Sequence, residues 1–386
     1  MVPDGINGAR RGRRRTVVLL AVGALLAAWR IPARHETQFA IVPPAVATST
    51  PDAALRTIDL PTPTPSAHAS SIAVMADGSL RIAWFGGAKE GASDVGTWIA
   101  EVPSGANAAA WHWQVLTPKS LAALTGRVIR TLGNPVLWRA PDGRLHLYVV
   151  SVSYGGWSGS AINSLTLDKT GRTVTSARRL ILSPLFNFST LVRAQPVPMA
   201  DGSVGLPAYH EFITKSGLWV VLGESGDVRR ATPLPRRDGW LQPAVAPVSG
   251  EDATALLRCA DPGIAKIGIA VTHNAGDSWQ STGELAIPNP DSGIALVRLR
   301  DQSLLLAANP LASGRSTLQL FRSTDDGHTW AASRVVESSA RLSDEFSYPC
   351  LAEGLDGTIH LSYTRLRKGI RLLSFGPDWP KREPAP

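Results

Sequence analysis

One eight-residue stretch, Ser323-Thr324-Asp325-Asp326-Gly327-His328-Thr329-Trp330, constrains the fold of this chain more than any other feature. Its pattern is S-x-D-x-G-x-T-W, and each fixed residue has a physical task. The Ser and Asp side chains can hydrogen-bond the turn's own backbone and close it. Gly327 supplies a backbone conformation that a Cβ would penalise, and Trp330 offers a large apolar face to pack the turn onto a sheet. A weaker copy lies upstream, Thr272-His273-Asn274-Ala275-Gly276-Asp277-Ser278-Trp279, and the two tryptophans stand 51 residues apart. A period of that length suits an array of four-stranded units.

The same period runs through the rest of the chain. Asp-Gly turns or degenerate equivalents fall at Asp77-Gly78, Asp142-Gly143, Asp201-Gly202, Ser249-Gly250, Asp301-Gln302 and Asp356-Gly357, with gaps of 65, 59, 48, 52 and 55 residues. Each is followed by an apolar or alternating run: Leu80 to Phe85, Leu145 to Val150, Val204 to Tyr209, Ala253 to Leu257, Leu304 to Ala308 and Ile359 to Tyr363. A turn of this kind before such a run is a hairpin signal. Six hairpins without long helical patterns between them predict an all-β, six-bladed propeller over 66–378.

The S-x-D-x-G-x-T-W stretch resembles the Asp box of the sialidase (neuraminidase) superfamily, whose fold is a six-bladed β-propeller. In that superfamily the box lies on the rim away from the active site, so the resemblance bears on fold more than on activity.

Composition narrows the classes. Hydrophobic content of 44% is ample for a core. The 12 Trp outnumber the 5 Tyr and 8 Phe; indoles stack on sugars and also fill the space between blades, and both uses are open. Net charge is +8, but five Arg and one Asp in the first 15 residues supply half of it. The remainder carries no Lys/Arg stripe, which sets nucleic acid aside. Cys259 and Cys350 have no metal-type spacing and read as buried thiols, with a disulfide as the alternative in an oxidising compartment. No metal or cofactor motif is present, and nothing demands a structural calcium.

Arg10, Arg11, Arg13, Arg14 and Arg15 precede an apolar run at 16–29, the shape of a secretory signal within 1–35, with an uncleaved membrane anchor as the alternative. Either delivers the body of the protein outside the cytoplasm, to the periplasm or the extracellular space. The Pro/Ala/Thr-rich segment 36–65 reads as a linker.

Each hairpin has two open ends that should reach one rim. The entering ends include His68, Asn134-Pro135, Gln195-Pro196, Gln242-Pro243 and Tyr348-Pro349; the leaving ends include Tyr209-His210-Glu211, Arg258 and the stretch to Arg367. Arranged about one axis, they would line a single pocket, although some of these groups could serve only to tie blades together.

The resemblance assigns roles within that set. The loop Ala88-Lys89-Glu90-Gly91-Ala92-Ser93-Asp94-Val95-Gly96 is similar to the sialidase first-blade loop, which implies that Asp94 is the acid/base. Arg258 and Arg315 match the second and third arginines of the family's carboxylate clamp. Phe346-Ser347-Tyr348-Pro349 is similar to the stretch bearing the tyrosine nucleophile, so Tyr348 takes that role. Two positions depart from the pattern. His68 stands where the first arginine is expected, and Gln242, which cannot act as a base, stands where a glutamate would activate the tyrosine; Glu211 is the candidate substitute. Glu90, Asn134, His210, Asn289 and Arg367 complete the candidate sugar contacts, with His68 adding pH dependence.

Stretches resembling H-A-S, W-F-G-G-x-x-E-G-x-x-D, G-N-P-V, P-x-Y-H-E-F, W-x-Q-P-A, P-N-P-x-S-G and F-S-Y-P run in order from His68 to Pro349, a pattern similar to the "BNR repeat-like" sialidase-family proteins. The function implied is an exported glycosidase acting on terminal sugars of a glycan, with acidic sugars among the candidates. The alternatives are a non-catalytic carbohydrate-binding propeller and a uronic-acid lyase using Tyr209 and His210. The sequence leaves oligomeric state open.

Overall fold

The computed structural model describes residues 37–41, 55–105, 111–183, 187–212, 214–237 and 239–381. The basic and apolar segments read as a leader lie outside the described residues. Among the described residues no helix is long and apolar enough to cross a membrane.

Among the described residues, twenty-five strands form six antiparallel sheets arranged as the blades of a propeller. Strand β1 (Arg56–Leu60) is the outermost strand of the last blade. Blade one comprises β2 (Ser66–Val74), β3 (Leu80–Gly87), β4 (Gly96–Val102) and β5 (Trp111–Leu116), followed by helix α1 (Pro118–Thr125). Blade two is β6 (Thr131–Arg139), β7 (Leu145–Val152), β8 (Ser160–Leu167) and β9 (Val174–Arg179). Blade three has a split inner strand, β10 (Thr190–Val192) and β11 (Val197–Pro198), then β12 (Val204–His210), β13 (Ser216–Leu222) and β14 (Val228–Pro233). Blade four is β15 (Trp240–Pro247), β16 (Asp252–Cys259), β17 (Lys266–His273) and β18 (Gln280–Pro288). Blade five is β19 (Ala295–Arg298), β20 (Leu304–Ala308), β21 (Thr317–Ser323) and β22 (Ala331–Ser338). Blade six is β23 (Phe346–Glu353), β24 (Ile359–Arg365), β25 (Gly369–Phe375) and β1.

Each of the six apolar runs after a turn forms the second strand of a blade, so the hairpin count and the blade count coincide. The segment 36–65 is more than a linker. β1 pairs with β25 from Arg56–Ser374 to Leu60–Ile370, and Asp59 takes a two-pronged ion pair from Arg371 at 2.7 and 2.8 Å. Upstream, Phe39 is buried edge-on against Trp219 and bridges to Met199. One blade therefore closes the ring with strands from both ends of the propeller sequence.

The Asp-box turn is built as its chemistry demands. Ser323 Oγ accepts from Gly327 N at 2.9 Å, and Asp325 accepts from Thr329 N at 2.9 Å and from Thr329 Oγ1 at 2.6 Å. Trp330 Nε1 donates to Gly327 O at 3.0 Å, and Gly327 has φ +94°. Thr254 Oγ1 donates to Asp326 O, tying the turn to the preceding blade. The weaker copy uses Thr272 and Asn274 in the same way, and a Cβ at Gly276 would lie 2.3 Å from Trp219 Nε1. Both turns join third to fourth strands, at the end of the blades opposite the predicted rim.

Between blades the core is largely apolar, with Trp84, Trp219 and Trp240 fully buried. Cys259 and Cys350 are buried free thiols, so the disulfide alternative is not realised.

Candidate active site

The inner strands of four blades carry one repeated device. Ladder register breaks between His68 and Ser71, Gly133 and Val136, Leu241 and Pro243, and Ser347 and Cys350. At each break a non-glycine residue has positive φ: Ala69 (56°), Asn134 (41°), Gln242 (48°) and Tyr348 (52°). Such a bulge leaves its extra residue out of the ladder and re-aims the side chain. Three of the four are followed by proline, which has no N–H to leave unpaired there. The cost of a left-handed residue, about 1 kcal/mol or more, is tolerated where geometry is put to use.

The re-aimed side chains converge. Tyr209 Oη accepts hydrogen bonds from Asn134 Nδ2 at 3.0 Å and Gln242 Nε2 at 2.9 Å. The other end of the Gln242 amide accepts from Arg258 Nη1 at 2.9 Å, and the same nitrogen lies 2.7 Å from Tyr348 Oη. Three guanidinium carbons surround the Tyr348 ring, those of Arg193 at 5.2 Å, Arg315 at 5.4 Å and Arg258 at 5.7 Å. The His68 ring stacks obliquely on it at 4.2 Å.

Acidic partners compensate two of these arginines. Arg258 Nε bonds Asp291 Oδ1 at 2.7 Å, and Arg315 bonds Glu345 Oε1 at 2.9 Å and Asp291 O at 2.7 Å. Glu345 also receives Arg367 Nε at 2.8 Å, and Arg367 reaches on to Glu90, which pins the loop bearing Asp94. Burial pushes Glu345 toward protonation, but hydrogen bonds from Arg367 and Ser347 outweigh it and hold its pKa below 4.5. Burial also opposes the charge on Arg258, yet Tyr348 and Asp291 leave its pKa raised.

Arg193 is different. It is 4% exposed, its Nη2 donates to Pro349 O at 2.8 Å, and its Nε has no partner. Among the described residues no carboxylate pairs with it, and burial pulls its pKa down. The sequence reading missed Arg193 because blade three splits its inner strand, which put the expected entering end at Gln195-Pro196. The signal was a lone arginine in Leu191-Val192-Arg193-Ala194-Gln195-Pro196.

His68 sits beside this cluster and does not replace a guanidinium. It is 1% exposed, both ring nitrogens are unpartnered, and burial, with Arg367, Arg315, Arg193 and Arg258 adding to it, pushes its pKa well below 6.5. Burial and the four guanidinium groups thus favour its neutral form.

The remaining predicted residues fall as follows. Asp94 is exposed on the loop between β3 and β4, with Oδ2 accepting from Ala88 N at 2.9 Å. Glu211 follows β12, half-buried; burial raises its pKa, with Arg258 and Lys215 opposing, and among the described residues no hydrogen bond reaches its carboxylate. His210 Nδ1 contacts Ser189 O at 3.0 Å. As neighbours on one strand, Tyr209 and His210 point to opposite faces, so they do not form the pair a lyase would need. Asn289 is fully buried and its amide is consumed by Cys259 N, Ser292 N and Ser292 O, which makes it a turn-former instead of a sugar contact.

The sequence profile of the BNR repeat-like domain matches residues 78–361. No curated protein matches the chain in sequence. Among solved structures it is similar to a Hadza microbial sialidase, with TM-score 0.69 and 14% identity over 82% of this chain and 66% of that one, so the chain spans just under two thirds of that protein's length. It is similar to the intramolecular trans-sialidase from Ruminococcus gnavus, with TM-score 0.64 and 12% identity over 86% and 99% of the two chains. It is also similar to the NanB sialidase from Streptococcus pneumoniae, with TM-score 0.63 and 8% identity over 90% and 72%. With most of its length matched by that profile, the chain belongs to the BNR repeat-like family, and its six-bladed fold is similar to that of the sialidases.

Proposed function

We propose that this protein is an exported, sialidase-like glycoside hydrolase that releases a terminal acidic sugar from a glycan. The observation that carries the reading is Arg193, a buried guanidinium with no acidic partner, beside Arg258, Arg315 and the Tyr348 ring. An uncompensated buried cation is costly unless an anion completes it, and a planar carboxylate suits a guanidinium fork. The basic and apolar segments at 10–29 support export to the periplasm or the extracellular space.

In this mechanism the sugar carboxylate docks on Arg193 and its neighbours, which sets the anomeric carbon over Tyr348. Tyr348 Oη attacks that carbon, Asp94 protonates the departing glycosidic oxygen, and Glu211 receives the phenolic proton. Water, deprotonated by Asp94, then breaks the tyrosyl–sugar bond, and Glu211 gives its proton back to the departing phenolic oxygen. A neutral nucleophile avoids repulsion from an anionic sugar, and tyrosine is a known exception to paired-carboxylate glycosidases. The raised pKa of Glu211 suits a group that must take up a proton.

The test is hydrolysis of a panel of aryl glycosides, α-sialosides and uronides included, by the full chain and its Asp94→Ala variant. Turnover confined to acidic sugars and lost in the variant is expected. No turnover on any substrate, with glycan binding unchanged by the mutation, would replace the enzyme with a carbohydrate-binding module.

A further inference from the structure

We propose that the cleft between the second and third blades, at the end of the propeller opposite Tyr348, binds a neutral saccharide ring. Near the Tyr348 end these blades meet through an apolar seam that includes Val136, Val150, Ile162, Leu206 and Leu218. Toward the other end the seam opens into a cavity of about 410 Å3, and the second blade turns a different surface to it.

Three rings line that surface in a row. Trp138 lies opposite His146 in the ladder with centroids 5.7 Å apart, and His146 stacks on Tyr148 at 6.3 Å with 16° between planes. Ser164 lies across from Tyr148, and Thr166 across from His146, adding two hydroxyls to the same face. Tyr148 and Ser164 both line the cavity, and among the described residues no hydrogen bond reaches the hydroxyl of either, so both hydroxyls are open to a ligand there. A volume of this size exceeds what a few waters need and falls within the range of ligand pockets.

The ionic groups at the mouth favour a neutral ligand. Arg144 is paired with Asp142 at 2.5 Å, Arg178 is held by the carbonyl of Ser225, and Glu224 lies over Gly202. Charges of both signs are present, and the two arginines are already bonded. An aromatic row edged by free hydroxyls matches a sugar ring, whose C–H face lies flat on indole while its hydroxyls meet the polar edge.

The probe is lactose, followed by saturation-transfer difference NMR and a chemical-shift titration on the full chain at concentrations up to about 50 mM, enough to saturate a millimolar site. Saturation transfer to the sugar C–H protons is expected in the parent protein and in Arg258→Ala, and is lost in Trp138→Ala. Trp138 is partly exposed and belongs to no core cluster, so its truncation should leave the fold intact. Tyr148→Phe, which removes only the oxygen, is expected to weaken binding about fivefold, the value of one hydrogen bond. Signal that persists in Trp138→Ala, that disappears only in Arg258→Ala, or that is absent from the parent would overturn the proposal. Because lactose is neutral and Arg258 belongs to the other site, this outcome is independent of whether the protein hydrolyses acidic sugars.

Discussion

Arg258 Nη1 lies 2.7 Å from Tyr348 Oη and 2.9 Å from Gln242 Oε1, so one buried nitrogen orients the phenol and locks the amide beside it. That amide in turn holds Tyr209 Oη, and a single chain of hydrogen bonds crosses the axis from Asn134 to Tyr348. Where the superfamily pattern expects a glutamate, this chain has an uncharged glutamine whose polar ends are both used.

Removing only the phenolic oxygen tests Tyr348 most cleanly. Tyr348→Phe keeps the ring among its three guanidinium groups and leaves Asp291 and Gln242 bonded to Arg258. Turnover is expected to fall by about three orders of magnitude or more, because a nucleophile cannot be replaced by its neighbours. The melting temperature and the binding of an acidic sugar should change little. Unimpaired turnover in this variant would exclude Tyr348 as nucleophile.

Arg193→Lys keeps the charge and loses the fork. The expected effect is on KM for an acidic substrate, a rise of about 10- to 100-fold, in line with the loss of a charge-assisted hydrogen bond. Steady-state kinetics against a neutral aryl glycoside gives the control, and equal losses on both substrates would contradict a carboxylate-binding role.

Glu211 predicts a trade between stability and activity. Burial raises its folded pKa above the ordinary 4.5, so the folded chain holds that proton more tightly than the unfolded chain does. Stability from this group is intact below 4.5 and declines as pH rises through the raised value. Glu211→Gln should therefore raise the melting temperature near neutral pH, leave it unchanged under acid conditions, and lower turnover. Thermal melts across pH with paired rate measurements check all three.

The Asp box makes the opposite prediction for pH. Hydrogen bonds from Thr329 and Ser323 hold the Asp325 pKa down to about 2, so its contribution is present above 3.8 and is lost as pH falls through the lower value. Asp325→Asn should lower the melting temperature at neutral pH, with the difference from the parent shrinking in acid. KM should not move, since the turn lies at the far end of the blades.

The turns and the six hairpins were legible because their chemistry is local: an Asx-type side chain, a glycine and a strand lie within ten residues of one another. Tyr348 and Arg258 were legible because each stands at the open end of a hairpin whose turn is marked, and Arg315 through its resemblance to the third arginine of the sialidase clamp. Arg193 was not, since the strand that carries it is interrupted and the turn count points two residues too far. Nor was the pairing of β1 with β25, where the partners are more than 300 residues apart and no local pattern records the register. The acids that compensate the arginines, Asp291 and Glu345, lie just ahead of the inner strands of other blades, and only the closed ring brings them in. The row of Trp138, His146 and Tyr148 reads in sequence as ordinary alternation; that it faces a cavity depends on the neighbouring blade.

The most direct measurement uses an acidic glycosyl fluoride carrying a second fluorine beside the anomeric carbon, which slows breakdown of a sugar–enzyme bond. Incubated with the full chain and followed by intact-mass and peptide mass spectrometry, it should leave one sugar per chain on the peptide bearing Tyr348, with loss of fluoride and none on Tyr348→Phe. A sugar attached to Glu211, or turnover of an acidic substrate with no adduct formed, would contradict catalysis through Tyr348.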